Sequence, residues 1–295
     1  MRKTILYLIL AGLFIAGVAA ESETPLQKAA YQHIRLGWVH QRIISLTPAT
    51  TEILFALGLD EEIIGVSSFC NYPPQAKAKE KVGTFSQANI EKIISLKPDI
   101  IFCTGLEQAP IVTELKQLKL KVCVSDPSNM EELFQSILEI GQLTRKEINA
   151  EKLIENMKIS IKEIALKVRP IPQGSRPKVF VELWGDPLMS AGRNSFLDEL
   201  ITLAGGTNIA RDLTRPYSFF SPEQVLKQDP DVIILLYMSP ENPASLLEAR
   251  IGWNKINAVK NRRVYNDINP DIVLRPAPRI IDGLKELHKR IYPQP

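Results

Sequence analysis

Histidine and cysteine are scarce in this chain of 295 residues, three of each, and neither is placed for chemistry. His33, His40 and His288 form no ligand cluster, and Cys70, Cys103 and Cys123 have no metal-ligand spacing, so the expected metal set is none. Also missing are a G-x-S-x-G elbow, a P-loop and an H-E-x-x-H pair, which removes the commonest hydrolase and nucleotide-dependent readings and leads us to expect a protein that is not an enzyme. Charge of one sign is lacking too. Lys and Arg number 36 against 33 Asp and Glu, a net +3, which gives no electrostatic footprint for nucleic acid. No apolar run reaches the roughly 20 residues of a spanning helix. What is present is ordinary globular composition, 45% hydrophobic and 23% charged, enough for one or two cored domains and unlike disordered or coiled-coil chains.

The first residues, 1–20, read as a cleaved secretory signal: Arg2 and Lys3 form a basic start, an apolar stretch runs from Ile5 to Val18, and small residues close it at Val18 and Ala20. Export would place the protein in an oxidising compartment where three cysteines could form one disulfide in any of three pairings, or could serve as small core residues. Residues 21–41 form a lead-in without an assigned role.

From Arg42 the chain alternates short apolar strands with helices. Strands are expected at Arg42–Leu46, Ile63–Val66, Asp99–Cys103 and Lys121–Val124, with helices at Thr51–Leu57, Ile90–Leu96 and Ile111–Leu118. Near-continuous apolar strands between helices argue a parallel sheet covered on both faces. The rhythm then breaks. Ala150, Leu153, Ile154, Met157, Ile161, Ile164, Ala165 and Val168 recur at three-four spacing on one helical stripe, and Pro170 and Pro172 stop it. Beyond it the alternation resumes, with strands at Lys178–Leu183, Asp231–Leu236 and Arg263–Asn266 and helices at Ser195–Leu203, Pro222–Lys227 and Arg279–Ile291. The expected architecture is therefore α/β, two Rossmann-like lobes with parallel sheets (42–143 and 171–295) joined by one long helix within 144–170.

The halves share a line of sequence. Asn89-Ile90-Glu91 through Pro98-Asp99-Ile100-Ile101 aligns without a gap on Ser221-Pro222-Glu223 through Pro230-Asp231-Val232-Ile233. In both copies an N-cap residue precedes the helix, a glutamate takes its second position, and Pro-Asp opens the next strand. A first-turn carboxylate stabilises a helix by about 0.3–1 kcal/mol through the helix dipole. That explains either glutamate alone but does not require glutamate at both places, so the pair reads as a two-pronged negative docking surface.

The segments Arg42-Ile43-Ile44-Ser45-Leu46-Thr47-Pro48-Ala49-Thr50-Thr51-Glu52, Ser67-Ser68-Phe69-Cys70-Asn71-Tyr72-Pro73-Pro74-Gln75-Ala76 and the Glu91 line closely resemble the periplasmic substrate-binding proteins of vitamin B12 and iron-chelate ABC importers, nearest the vitamin B12 branch. The resemblance runs from Arg42 to the C-terminus. It implies two lobes bridged by a long helix, with the ligand held between them and little lobe movement. It also implies that Glu91 and Glu223 dock, one per lobe, into arginine pockets of the transmembrane permease. Phe69, Phe85, Trp184 and Tyr217 fall on family aromatics that wall the corrin cleft, and Asp271 and Arg275 on positions that offer polar contacts to the ligand's periphery. Thr104 stands where the family carries a further Trp, and Phe219-Phe220 is an aromatic pair that the B12 prototype lacks. Arg279 is expected to cap the following helix or pair locally. The implied ligand is cobalamin or a related corrinoid, transported rather than kept as a cofactor, by a monomer. A ferric siderophore or haem is the alternative, though no histidine falls in the cleft segments to ligate haem.

Overall fold

Ile43-Ile44-Ser45 is apolar on both faces, and as the first strand it is wholly buried. The structure, a computed structural model, describes residues 41–237, 247 and 250–293. The expected signal segment 1–20 and all of the lead-in except Gln41 lie outside them. Strands β1 (Ile43–Ser45), β2 (Ile63–Val66), β3 (Ile100–Cys103) and β4 (Val122–Val124) form one parallel sheet in the order β2-β1-β3-β4. Helices α1 (Pro48–Ala56), α2 (Ile90–Ser95) and α3 (Ala109–Gln117) make the three crossovers. Helix α1 starts before the expected Thr51, because the Thr47 hydroxyl accepts the Thr50 N–H at 3.1 Å and Pro48 fits the first turn.

Two helices follow. α4 (Met130–Thr144) is not among the helices expected from the sequence, whereas α5 (Glu147–Val168) is the expected long helix; left-handed Arg145, φ 57°, turns the chain between them. At 22 residues α5 is about 33 Å long. Of the expected stripe, Ala150, Ile154, Met157, Ile164 and Val168 are buried and Ala165 is exposed. One continuous apolar cluster runs from Ile43 and Leu133, through this stripe, to Val179 and Leu284. The helix is thus a shared wall of both lobes.

The second lobe repeats the first. Strands β5 (Lys178–Glu182), β8 (Thr207–Asn208), β10 (Val232–Leu235) and β11 (Val264–Tyr265) are all parallel. Read from the β8 edge their order is β8-β5-β10-β11, the same wiring as β2-β1-β3-β4, with helices α6 (Phe196–Leu203), α7 (Pro222–Gln228) and α8 (Asn257–Lys260) as crossovers. The sequence repeat extends into contacts. Asn89 accepts the Lys92 N–H at 2.9 Å and Ser221 that of Gln224 at 3.3 Å. Lys97 and Asp229, each just before Pro-Asp, are both left-handed, φ 48° and 46°. The aspartates then accept the backbone N–H that opens the neighbouring strand, Asp99 from Arg42 at 2.7 Å and Asp231 from Lys178 at 2.8 Å.

The second lobe also carries an addition that alternation alone did not suggest, an antiparallel sheet of β6 (Trp184–Gly185), β7 (Leu188–Ala191) and β9 (Tyr217–Phe219). Helices α9 (Asp271–Leu274) and α10 (Ile280–Ile291) close the described chain. All three cysteines are free. Cys103 packs with Ile44 and Ile101 on one side of the first sheet and Cys123 with Phe102 and Ile43 on the other, so those two thiols do not face each other.

Candidate functional site

Loops that leave the C-terminal ends of parallel strands face a common crevice, the usual ligand position in open α/β sheets. Here they surround a cavity of about 630 Å³ between the lobes. From the first lobe come Thr47–Ala49 after β1, Phe85 between β2 and α2, Thr104 and Glu107 after β3, and Ser125–Ser128 after β4; the second lobe supplies Asn194–Phe196, Pro216–Tyr217 and Leu274–Pro276.

Of the residues singled out in the sequence, Phe85, Tyr217 and Arg275 line this cavity, while Phe69, Trp184 and Asp271 are not among its described lining. Phe69 and Trp184 are instead 57% and 48% exposed. Trp184 has a clear relation to the cavity nonetheless. Met189 pairs with both Trp184 and Phe219, and Ala191 pairs with Tyr217, so alternation along β7 puts Trp184, Tyr217 and Phe219 on one face of the small sheet. That face is an aromatic shelf running outward from Tyr217, which lines the cavity. The Trp184 indole N–H is engaged by the Asp186 carbonyl at 2.8 Å, which fixes its ring. Desolvation pushes the Tyr217 phenol above its ordinary value, so it is a neutral hydroxyl at neutral pH. Beneath the sheet, Glu182 is fully buried; burial pushes its carboxyl up, against the two bonds of 2.6 Å it accepts from Arg250. Arg250 also donates to the Gly185 carbonyl at 3.3 Å, which ties β6 to the core.

Among the residues that escaped the sequence reading, Phe196 lines the cavity and Gln108 supports it. Phe196 lies in the first turn of α6 behind its N-cap Ser195 and reads as core, as its burial allows. Gln108 is fully buried and does not touch the cavity, yet it organises the cavity's first-lobe side. Its Oε1 accepts the Thr104 N–H at 2.9 Å, and its Nε2 donates to the Leu46 carbonyl at 3.1 Å and the Phe85 carbonyl at 2.7 Å. One side chain thereby ties together the loops after β1 and β3 and the loop that carries Phe85. No local pattern marks such a glutamine, because its three partners come from three separate segments.

The polar positions are bound up in contacts within the protein. Arg275 donates to Asn71 Oδ1 at 2.7 Å, pairs with Asp271 at 2.8 Å and reaches Glu52 at 3.4 Å. Asp271 therefore holds Arg275 instead of lining the cavity. Arg279 does not pair locally. Its guanidinium crosses to Glu52 of the first lobe and stacks on the Tyr72 ring, 3.6 Å from its centroid. The Glu52 hydrogen bonds hold the Arg279 pKa above its ordinary value.

Glu91 and Glu223 are exposed at the second positions of α2 and α7. The Ser221 hydroxyl, donating to Glu223, holds that carboxyl below the usual range. Neither forms an ion pair among the described residues. The described residues contain no cluster of three His, Cys, Asp or Glu arranged to hold a metal ion, and no helix long and apolar enough to cross a membrane.

The family model for periplasmic binding proteins matches residues 43–269. An uncharacterized ABC transporter substrate-binding lipoprotein of Bacillus subtilis, YvrC, is 35% identical over 270 residues, 90% of this chain and 84% of its own. The vitamin B12-binding protein of Vibrio cholerae is 30% identical over 251 residues, 84% of this chain and 87% of its own. Among solved structures, a possible iron-binding periplasmic solute-binding protein from Staphylococcus epidermidis superposes with a TM-score of 0.75 at 32% identity, covering 86% of this chain and 98% of that one.

Proposed function

The chain belongs to the periplasmic binding protein family, and from that premise we propose that it captures cobalamin or a related corrinoid between its lobes and delivers it to the permease of an ABC importer. The observation that carries the ligand is the aromatic lining: Phe85, Phe196 and Tyr217 in the cavity, continued outward by Trp184 and Phe219 on one sheet face. A large macrocycle with apolar faces needs flat apolar walls. Each aromatic ring buries about 150–250 Å², an upper bound of roughly 4–6 kcal/mol before ordering costs. Thr104, lacking the ring that the family carries there, leaves room on the first-lobe side. The similarity to a vitamin B12-binding protein supports the same choice.

Delivery rests on Glu91 and Glu223. They occupy equivalent sites in two lobes of the same wiring, are exposed, and have no described cation partner. A matched pair of carboxylates on two rigid lobes would set register and encounter rate on a basic partner more than raw affinity. The protein acts in this reading as an exported, monomeric carrier and not as an enzyme, with the segment 1–20 as its cleaved signal.

A second reading, an iron chelate as cargo, is favoured by the similarity to a possible iron-binding protein. Isothermal titration of residues 21–295 with cyanocobalamin, cobinamide, haemin and a ferric hydroxamate separates the two. One-to-one binding of the corrinoids alone is the expected result; binding of the iron compounds alone replaces the corrinoid with an iron chelate.

A further inference from the structure

Arg275 is the only formal cation among the described residues that line the cavity, and its charge is spent within the protein. It shares a cluster of four charges, two guanidiniums (Arg275, Arg279) and two carboxylates (Glu52, Asp271), whose sum is zero. Arg215 flanks Pro216 and Tyr217 but is not part of the described lining. No lysine or histidine is there either.

Two carboxylates remain. Glu107 and Asp126 line the first-lobe side, and neither has an ion-pair partner among the described residues. Asp126 is held in place by the Thr104 hydroxyl, which donates to Oδ1 at 3.0 Å. Gly105 makes that position possible, since a Cβ there would stand 2.5 Å from Asp126 Oδ2. Helix N-termini could have reversed the sign, because α1, α3, α4 and α6 all begin at or beside the cavity; in the first turn of α3, which follows Glu107, Pro110 has no N–H to offer. The positive ends of α4 and α6 are already engaged. The Met130 N–H donates to Glu199 at 2.8 Å, the Ser128 N–H to Glu132 at 2.8 Å, and the Asp198 N–H to the Ser195 hydroxyl at 3.1 Å. Glu131 and Glu132 in α4, and Asp198 and Glu199 in α6, add first-turn negative charge. At α1 the proline in the first turn has no N–H to offer and Thr47 caps Thr50.

We propose that the cavity selects its ligand by charge, admitting neutral and cationic metal chelates and turning away polyanionic ones, with Glu107 and Asp126 as the selecting residues. The proposal deepens the reading of the cavity as a chelate site and rests on it. Corrinoids whose periphery is uncharged amide and whose cobalt carries positive charge satisfy the rule. Haem, with two carboxylates, and ferric tricatecholates do not.

The test is a ligand series differing in charge, titrated into the wild-type protein and into Glu107→Gln/Asp126→Asn at low and high salt. The probes are diaquacobinamide (cation), dicyanocobinamide (neutral), ferrioxamine B (cation), a ferric tricatecholate (polyanion) and haemin. At low salt ferrioxamine B should bind about tenfold or more tightly than the ferric tricatecholate, and both cobinamides about tenfold or more tightly than haemin. The preference should shrink with added salt and disappear in the double variant. Equal affinity for cationic and anionic members of a class, or a preference untouched by both salt and the variant, overturns the proposal. If no corrinoid binds but ferrioxamine B outbinds the tricatecholate, the charge rule stands and the corrinoid reading falls. If the corrinoids bind but haemin and the tricatecholate bind as tightly as ferrioxamine B at every salt concentration, the corrinoid reading stands and the charge rule falls. The salt series on the wild-type protein decides the matter even where the variant does not fold.

Discussion

Glu52 and Arg279, 227 residues apart in sequence, meet across the lobes through two hydrogen bonds: Nε donates to Oε2 at 2.7 Å and Nη2 to Oε1 at 2.5 Å. Glu52 is almost fully buried in α1, and Arg279 stands at the start of α10. This pair links the two lobes, which also share the apolar cluster that runs through α5.

Removing Arg279 leaves the buried Glu52 only its 3.4 Å contact with Arg275, and removing Glu52 leaves Arg279 stacked on Tyr72 without its carboxylate. Glu52→Ala and Arg279→Ala are each expected to cost about 3–5 kcal/mol in urea unfolding. The double replacement Glu52→Leu/Arg279→Met should recover most of that loss, since the desolvation penalty disappears together with the attraction. Solution scattering should report a larger radius of gyration in the single variants than in wild type.

Gln108→Leu keeps the volume of the side chain and removes three hydrogen bonds at once. The Thr104 N–H and the Leu46 and Phe85 carbonyls lose their partner, a stability cost of about 2–4 kcal/mol if water does not enter. Ligand affinity should fall with it, because the loop bearing Phe85 loses its tie to the sheet. A titration on folded protein below the unfolding transition checks this. Unchanged affinity would mean that Phe85 holds its place without Gln108.

The docking role assigned to Glu91 and Glu223 is tested by reversing both to Arg. Ligand affinity in titration should be unchanged, because neither residue lines the cavity. Uptake by reconstituted importer should be abolished. Normal uptake by the double variant would remove the docking assignment and leave the helix dipole as the only role of the repeated glutamate.

Acid stability should carry a signature from Asp267. Two hydrogen bonds from Arg290 hold its carboxyl below its ordinary value of 3.8. A depressed folded-state pKa contributes stability above the unfolded value, and that stability is lost as pH falls through the lower folded value. Asp267→Asn should therefore lower the urea midpoint slightly at pH 7, where the wild-type carboxylate contributes in full, and converge on wild type as pH falls below about 4, so that the variant's midpoint falls less steeply there. Since the Asp267 side chain is 59% exposed, the effect is small and should weaken with salt.

The local features of this protein were legible in its sequence because their causes are local. Apolar runs of three to five residues gave the strands, since burial on both faces demands it. The repeated N-cap, glutamate and Pro-Asp gave the ends of α2 and α7 and pointed to duplicate lobes, because capping and the proline constraint act within a few residues. The stripe on α5 announced a long helix with one buried side. Tertiary structure alone decided the partners of groups whose bonds are directional but whose neighbours are distant in sequence. It sent Arg279 to Glu52 and not to its own helix, made Asp271 the keeper of Arg275, and spent Gln108 on three loops. It also turned Trp184 and Phe219 onto the same face as Tyr217, through the register of three short strands too brief for a periodic signal. Hydrophobic periodicity is a property of one segment, whereas the charge balance of a cavity depends on which segments meet there, and only the folded chain brings them together.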